Sequence, residues 1–324
     1  SLSSHFGAHT VDHAVLVPFP SRSARDSQML ILGCGPRSLR RYGTNSWRQP
    51  PVLGRNRDSV ESGMYIFWFS GTGNSLYLAK RIAEAVPDSR LVSIAENLAT
   101  DLDPCEEAGF VFPVYAWGPP RIVAQFMEET PLRENGYVFA AMTYAGSPGN
   151  ATGRVRKLLS NRGIELSSSY GVKMPENFPP LGGAPPDDKR DDILSEADRQ
   201  IGEIAEAVSA RDCGTYHKGS LFFRLLTPLV HPLFRRFLGR SDRRFRADET
   251  CNACGVCVRV CPVENIVLKN DRPVWKRHCE QCYACFHWCP QEAIQYGRSQ
   301  KQVRYHHPAC SLADLSPSSK EREE

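Results

Sequence analysis

Eight of the twelve cysteines fall in two runs, Cys251, Cys254, Cys257, Cys261-Pro262 and Cys279, Cys282, Cys285, Cys289-Pro290, each spaced C-x2-C-x2-C-x3-C-P. Thiolates are soft, anionic ligands, and three of them at this spacing can wrap one face of a cuboidal iron-sulfide cluster through a short loop. Zinc ribbons use two separated C-x-x-C pairs, and neither they nor a secreted disulfide framework needs a repeated triplet followed by C-P. The repeat is internal and each copy is complete, so iron-sulfur ligation is the chemistry it predicts. Pro262 and Pro290 fix the backbone after the last cysteine of each run and suit the first turn of a short helix. Cys34, Cys105, Cys213 and Cys310 have no such neighbours and read as ordinary thiols.

The elements that hold these ligands come from a short stretch. Residues 248 to 299 read as a pseudo-symmetric domain in which each run is followed by a short helix and an apolar strand, Ile266-Val267-Leu268 and Ile294-Gln295-Tyr296. About fifty residues bury little apolar surface, so metal must serve as core and staple, and its loss should unfold the domain. Trp275 reads as a half-buried strand aromatic more readily than as a cluster shield. His278 and His287, beside ligand cysteines, read as solvent-facing loop residues.

A second chemical segment begins at Met64. The apolar strand Tyr65-Ile66-Phe67-Trp68-Phe69 runs into Ser70-Gly71-Thr72-Gly73-Asn74-Ser75 and then a helical stretch, Leu76 to Val86. Strand, Gly/Ser/Thr loop and helix N-terminus make a phosphate cradle, because the glycines let N–H groups converge and the helix dipole favours an anion. The loop has no lysine, which excludes a triphosphatase P-loop, and its spacing fails the dinucleotide fingerprint G-x-G-x-x-G. Strands over 90–94, 109–115 and 137–144 and a helix over 121–129 continue an α/β order, which predicts a doubly wound parallel sheet. Ligands of such sheets lie beyond the carboxyl ends of the strands, here at Tyr115-Ala116-Trp117-Gly118-Pro119-Pro120 and Thr143 to Asn150.

Ser70 to Ser75 resembles the FMN phosphate loop of flavodoxins, [ST]-x-T-G-N-[ST], with Gly71 where many flavodoxins carry another hydroxyl. The resemblance implies that Tyr115 and Trp117 face the flavin ring and that Gly118, Thr143, Tyr144 and Gly146 line its pocket. The cysteine runs resemble those of two-cluster bacterial ferredoxins. That resemblance implies crossed ligand sets, Cys251, Cys254, Cys257 and Cys289 for one [4Fe-4S] cluster and Cys279, Cys282, Cys285 and Cys261 for the other. From Met64 to near residue 308 the chain is similar to a family of bacterial and archaeal fusions in which a flavodoxin-like region precedes a two-cluster ferredoxin, described only as electron-transfer proteins. The family implies FMN and two clusters in one cytoplasmic polypeptide.

The implied organisation is a leader over 1–63, a flavodoxin-like domain over 64–212, an amphipathic connector over 213–247, the ferredoxin-type domain over 248–299 and a polar tail over 300–324. A fifth strand is expected over 171–174 and a helix over 191–210, with the proline-rich stretch 175–186 as a connection ahead of a pocket cover. Leu221 to Leu238 is too short and charged to span a bilayer, and reads as a connector packed between domains ahead of a membrane-surface helix. Residues 1 to 63 hold eight arginines, no lysine and four acidic residues, and are expected to be a disordered leader or, ahead of that, an upstream region included through a misplaced start, since a flavodoxin-type first strand conventionally begins at Met64; a transit peptide is the minor alternative. Removing those residues from 40 basic and 36 acidic leaves 32 of each, so the net +4 belongs to the leader and gives no support for nucleic-acid binding.

Free thiolates in ligand spacing, without a secretory signal, point to a reducing cytoplasm and an anaerobic host. The leading expectation is electron transfer between clusters and flavin, coupled to a soluble redox protein or a small-molecule donor or acceptor. The alternatives are a flavin-dependent reductase fed by its own clusters and a flavin-free iron-sulfur sensor or scaffold. No catalytic constellation of side chains is assigned.

Overall fold

The computed structural model describes residues 63–96, 102–299 and 302–315. The expectations for residues 1 to 62, including Cys34, lie outside the described residues. Five strands, β1 (Tyr65–Trp68), β2 (Arg90–Ser93), β3 (Cys105–Pro113), β4 (Leu132–Tyr144) and β5 (Ser168–Lys173), form one all-parallel sheet in the order β2-β1-β3-β4-β5. Helices α1 (Asn74–Ala85), α2 (Arg121–Glu129), α3 (Ala151–Ser160) and α4 (Asp187–Ser209) pack on its two faces. This is the flavodoxin-like order, whose ligand crevice lies between β1 and β3 at the carboxyl ends.

The apolar runs make sense on both faces at once. In β3, Phe110 and Phe112 point to α2 and α3 while Val111 points to α1 and α4; in β4, Phe139 and Ala141 alternate with Val138, Ala140 and Met142 in the same way. A strand buried on both sides has no polar positions to spare, hence its unbroken hydrophobic reading.

Next come α5 (Leu221–Leu238) and a smaller unit with β6 (Phe245–Ala247), α6 (Val256–Arg259), β7 (Ile266–Lys269), β8 (Arg272–Trp275), α7 (Ala284–His287) and β9 (Ile294–Tyr296). Here β6 pairs antiparallel with β9, and β7 with β8. The short helices stand inside the cysteine runs, before Pro262 and Pro290, so the expected helix after each run is corrected: turns follow the prolines instead. The chain ends its described part with α8 (Leu312–Leu315).

The expected polar tail is also corrected over 302–315. Tyr305, His307 and Cys310 are buried, His307 stacks on Tyr77 with centroids 4.1 Å apart, and Lys80 pairs with Asp314. Aromatic and thiol side chains among the polar ones supply the apolar contact that holds this strap to α1.

Candidate functional site: two cysteine sets and an aromatic cavity

The two cysteine runs repeat in backbone as well as in spacing. Ala253 and Gln281 precede the second cysteine of each run with φ 59° and 53°; Gly255 and Tyr283 follow it with φ 71° and 56°; Glu264 and Glu292 repeat the pattern after the prolines at 51° and 48°. Left-handed residues around each ligand turn the loop tightly and aim its N–H groups inward. Two such donors reach sulfur, Asn265 N to Cys261 Sγ at 3.1 Å and Gln281 N to Cys279 Sγ at 3.2 Å.

Cys251, Cys254, Cys257 and Cys289 line one small cavity, the outer set. Cys261, Cys279, Cys282 and Cys285 line another, the inner set. Burial pushes the Cys257 thiol up to about 12, with Cys289, Cys254 and Cys251 adding to it, and burial also pushes Cys279 up to about 12, with Cys261 adding. Ligation by iron removes those protons, so metal binding and folding are linked here. Among the described residues no three His, Cys, Asp or Glu side chains are gathered tightly enough for one metal ion. The sulfurs instead stand around voids, as a cuboidal cluster requires. Trp275 lines the inner void, and its buried indole N–H has no hydrogen-bond partner among the described residues. Trp275 also stacks on Phe245, centroids 5.5 Å apart, so it is both strand aromatic and wall of the void.

A larger cavity of about 370 Å³ opens beyond the carboxyl ends of β3 and β4, within the roughly 300–1,000 Å³ common for cofactor sites. Tyr115, Trp117, Thr143, Tyr144 and Gly146 line it together, as does Asn74. Tyr115 to Gly118 is a tight turn closed by two backbone hydrogen bonds, with Ala116 and Trp117 at φ 45° and 68°. Gly118 faces elsewhere: a Cβ there would sit 2.4 Å from the His231 ring.

Sequence reasoning missed half of the walls. Pro175 to Phe178 and Leu181 close one side, so the proline-rich stretch is a cover and not merely a connection. Val230 and Phe234 of α5 roof another, and Gln281, Cys282 and Tyr283 of the inner run form a third. One signal was present: Tyr283 occupies the position that Gly255 holds in the first copy, and a tyrosine at positive φ is strained without a reason.

The glycine loop is pinned under the ferredoxin-type unit and the strap. Trp288 Nε1 donates to Gly71 O at 3.0 Å, His307 N to Thr72 O at 2.8 Å and Tyr305 Oη to Asn74 Oδ1 at 2.7 Å. A Cβ on Gly71 would lie 2.3 Å from Cys282 O, which explains glycine where flavodoxins often have a hydroxyl residue. Gly73 holds φ 94° at the head of α1, a conformation that glycine adopts without penalty. Ser70 Oγ accepts from Gly73 N, Ser75 Oγ bonds Thr143 Oγ1, and Thr72 Oγ1 accepts from Asn177 Nδ2 at 2.5 Å. Of the six loop residues only Asn74 lines the cavity, and Thr72 Oγ1, which accepts from Asn177, keeps its own proton to donate to an anion.

His287 is buried, not solvent-facing: its Nδ1 accepts from Tyr305 N, leaving Nε2 to donate to Asn177 O at 2.8 Å. His278 is half-buried, with Nε2 at 2.9 Å from Val263 O. Arg121 and Glu280 fasten the inner run to α2, Nε to Oε1 at 2.7 Å, with Glu280 only 1% exposed. Burial raises the Glu280 carboxyl, and Arg121 opposes that shift. Cys105 and Cys310 are buried and Cys213 is exposed, and none of the three lines a cysteine cavity.

Residues 250–294 match the family model of the 4Fe-4S dicluster domain. Among curated proteins none matches the chain. Similar solved structures include a flavodoxin of Streptococcus pneumoniae, 15% identical over 46% of this chain and 99% of that one with TM-score 0.34. A flavodoxin from the domain Archaea is 16% identical over 45% and 98%, with TM-score 0.30. The two-electron reduced flavodoxin of Megasphaera elsdenii is 17% identical over 44% and 97%, with TM-score 0.31. The strand order itself establishes the sheet as flavodoxin-like, and the chain joins that fold to a 4Fe-4S dicluster-type domain.

Proposed function

We propose that the chain is an electron-transfer protein that holds two [4Fe-4S] clusters and an FMN, and exchanges electrons with an external redox partner. One observation carries the reading: the aromatic cavity and the inner cysteine void share Cys282 and Tyr283 as a common wall. A ligand cysteine in the wall of a flavin-sized chamber puts two redox groups side by side, and proximity is what the protein contributes to such a transfer. FMN supplies the ability to join one-electron carriers to a two-electron partner.

The residues divide that work. The outer and inner sets hold the irons, with the crossover cysteines Cys289 and Cys261 tying the two copies together. Tyr115, Trp117, Tyr144, Phe178 and Tyr283 give the cavity flat apolar walls that accept a ring and exclude water. Asn74 and Thr72 stand at the helix N-terminus that would receive the phosphate. Burial, together with Cys282, Glu280 and Cys279, holds the Tyr115 phenol well above its usual range, so it stays neutral beside the cluster ligands. Arg243, Arg246 and Arg277, with Arg272 paired to Glu249, line a groove that also holds Asp242 and is backed by Phe245 and Trp275, which line the inner void; its excess of arginine suits an acidic partner docking close to a cluster.

The bond from Asn177 to Thr72 favours a second reading, a flavin-free iron-sulfur protein whose loop is occupied by its own side chain. Anaerobic purification with flavin extraction and iron and sulfide analysis separates the two. The proposal expects FMN together with about eight irons and eight sulfides per chain. Full iron with no flavin, even after incubation with FMN, would leave only the second reading.

A further inference from the structure

Helix α5 turns its apolar residues outward. Leu221, Phe222, Leu225, Leu229, Leu233 and Phe237 are 66%, 66%, 71%, 70%, 52% and 53% exposed. Five of them recur every fourth residue, so they form one stripe along the helix, and Pro228 and Pro232 are exposed beside them. A contiguous apolar surface of this kind marks a binding face. The connector reading accounts only for the opposite side. There Thr227 accepts from Asn150 N, His231 is buried against Tyr115 O, and Val230 and Phe234 roof the cavity. The leucines cannot rotate inward without unroofing it.

Charge selects the occupant. From Leu221 to Arg240 there is no acidic residue, while Arg224, Arg235, Arg236 and Arg240 lie along the helix and Lys218 just before it. Arg236 and Arg240 are exposed and continue the stripe at its C-terminal end. No helix among the described residues is long and apolar enough to cross a membrane. A second copy meeting this stripe would bring cationic segments together, which costs association energy. An anionic bilayer meets both the leucines and the arginines.

We propose that α5 is a membrane-surface helix that docks the protein on an anionic lipid bilayer, its leucines and phenylalanines in the acyl boundary and its arginines among the headgroups. Docking places the cavity about one helix diameter, roughly 10 Å, from the lipid, because Val230 and Phe234 are on the other side of the same helix.

The test is flotation of the full-length, anaerobically purified protein with vesicles of phosphatidylcholine, alone or mixed with phosphatidylglycerol. Wild type is expected to float with the mixed vesicles and to be released by salt. The triple variant Leu225→Gln, Leu229→Gln, Leu233→Gln should lose more than about a hundredfold in apparent affinity. Arg236→Gln with Arg240→Gln should lose about fivefold per arginine. Iron content and far-ultraviolet circular dichroism should be unchanged in both, since the altered side chains are exposed. Wild type that stays with the unbound fraction, or a triple variant that floats undiminished, overturns the proposal. Flotation equal on phosphatidylcholine alone and indifferent to salt overturns it too, and so does a dimer dispersed by the triple variant without flotation.

Discussion

After its second cysteine the outer run has Gly255 and leaves Cys254 exposed; at the matching place the inner run has Tyr283 and presses Cys282 O against Gly71. Both runs share spacing, positive-φ positions and a fourth cysteine that lines the other void, so the cysteine pattern alone does not distinguish them. What distinguishes them is what lies on the far side of the loop. The outer loop meets solvent, whereas the inner loop meets the aromatic cavity, the glycine loop and the Arg121–Glu280 pair. A duplicated motif has been given two settings by its surroundings, one loop open to solvent and one packed within the chain.

The largest expected effect comes from breaking one set at a time. Cys285→Ala should remove the inner cluster and, by loosening the loop that walls the cavity, reduce flavin retention as well. Cys254→Ala should remove the outer cluster and leave flavin in place. Cys289→Ala should follow Cys254→Ala, and Cys261→Ala should follow Cys285→Ala, because the fourth cysteine of each run lines the other void. Iron analysis, flavin fluorescence after extraction and electron paramagnetic resonance of the reduced variants read this directly. A Cys289→Ala spectrum lacking the inner signal would dismantle the crossover assignment.

Next is Glu280→Gln, which leaves Arg121 without its carboxylate in a largely buried place. Arg121 keeps its bond to His278 O and its side chain is 27% exposed, so loss of the charged partner costs about 1.5–3 kcal/mol. Denaturant titration should show the ferredoxin-type unit releasing iron earlier, with the outer cluster less affected. Equal loss from both sites would mean that the pair stabilises the chain generally and does not seat the inner run.

Gly71→Ser tests the same contact from the other side, since its Cβ would crowd the Cys282 carbonyl. Overpacking of this kind costs about 1–3 kcal/mol, and the inner cluster signal should shift while the outer stays. Thr72→Ala should leave both clusters intact and weaken flavin about ten- to a hundredfold, from the loss of a hydroxyl contact of about 1.5–3 kcal/mol to a charged group. Unchanged flavin affinity in Thr72→Ala would show that the Thr72 hydroxyl does not hold the phosphate.

These sites were unequally legible in the sequence. The cysteine sets were readable because ligand chemistry fixes residue type and spacing together, and the sheet because strands buried on both faces have no alternation to confuse. The β1 loop was readable as a motif, but its cover was not: Asn177, Tyr305 and His307 are brought to it by tertiary packing from far along the chain, which no local pattern encodes. Helix α3 was missed because Gly153 and a weak apolar stripe of Val155 and Leu159 give little periodic signal. Helix α5 was read over the right residues, yet which face meets the protein depends on Thr227 and His231 finding Asn150 and Tyr115.

The last effect is expected from pH, and it should fall on the strap and on α5. Burial holds His307 near 4, with His306 adding, and burial holds His231 near 4, with Arg154 adding. In the unfolded chain each titrates near about 6.5, so the unfolded state binds more protons between those values. The neutral histidines therefore contribute fully above about pH 6.5, and the contribution is lost as pH falls toward 4, with a slope approaching about 1.4 kcal/mol per pH unit for each proton. His307 anchors the strap over Thr72 and stacks on Tyr77. His307→Phe keeps an aromatic on Tyr77 and removes the titration. Comparing urea midpoints of this variant and wild type at pH 7.5, 6 and 5 cancels any acid damage to the clusters that both share. Wild type should lose its margin over the variant as pH falls; a margin constant across the three values would show that protonation of His307 does not loosen the strap.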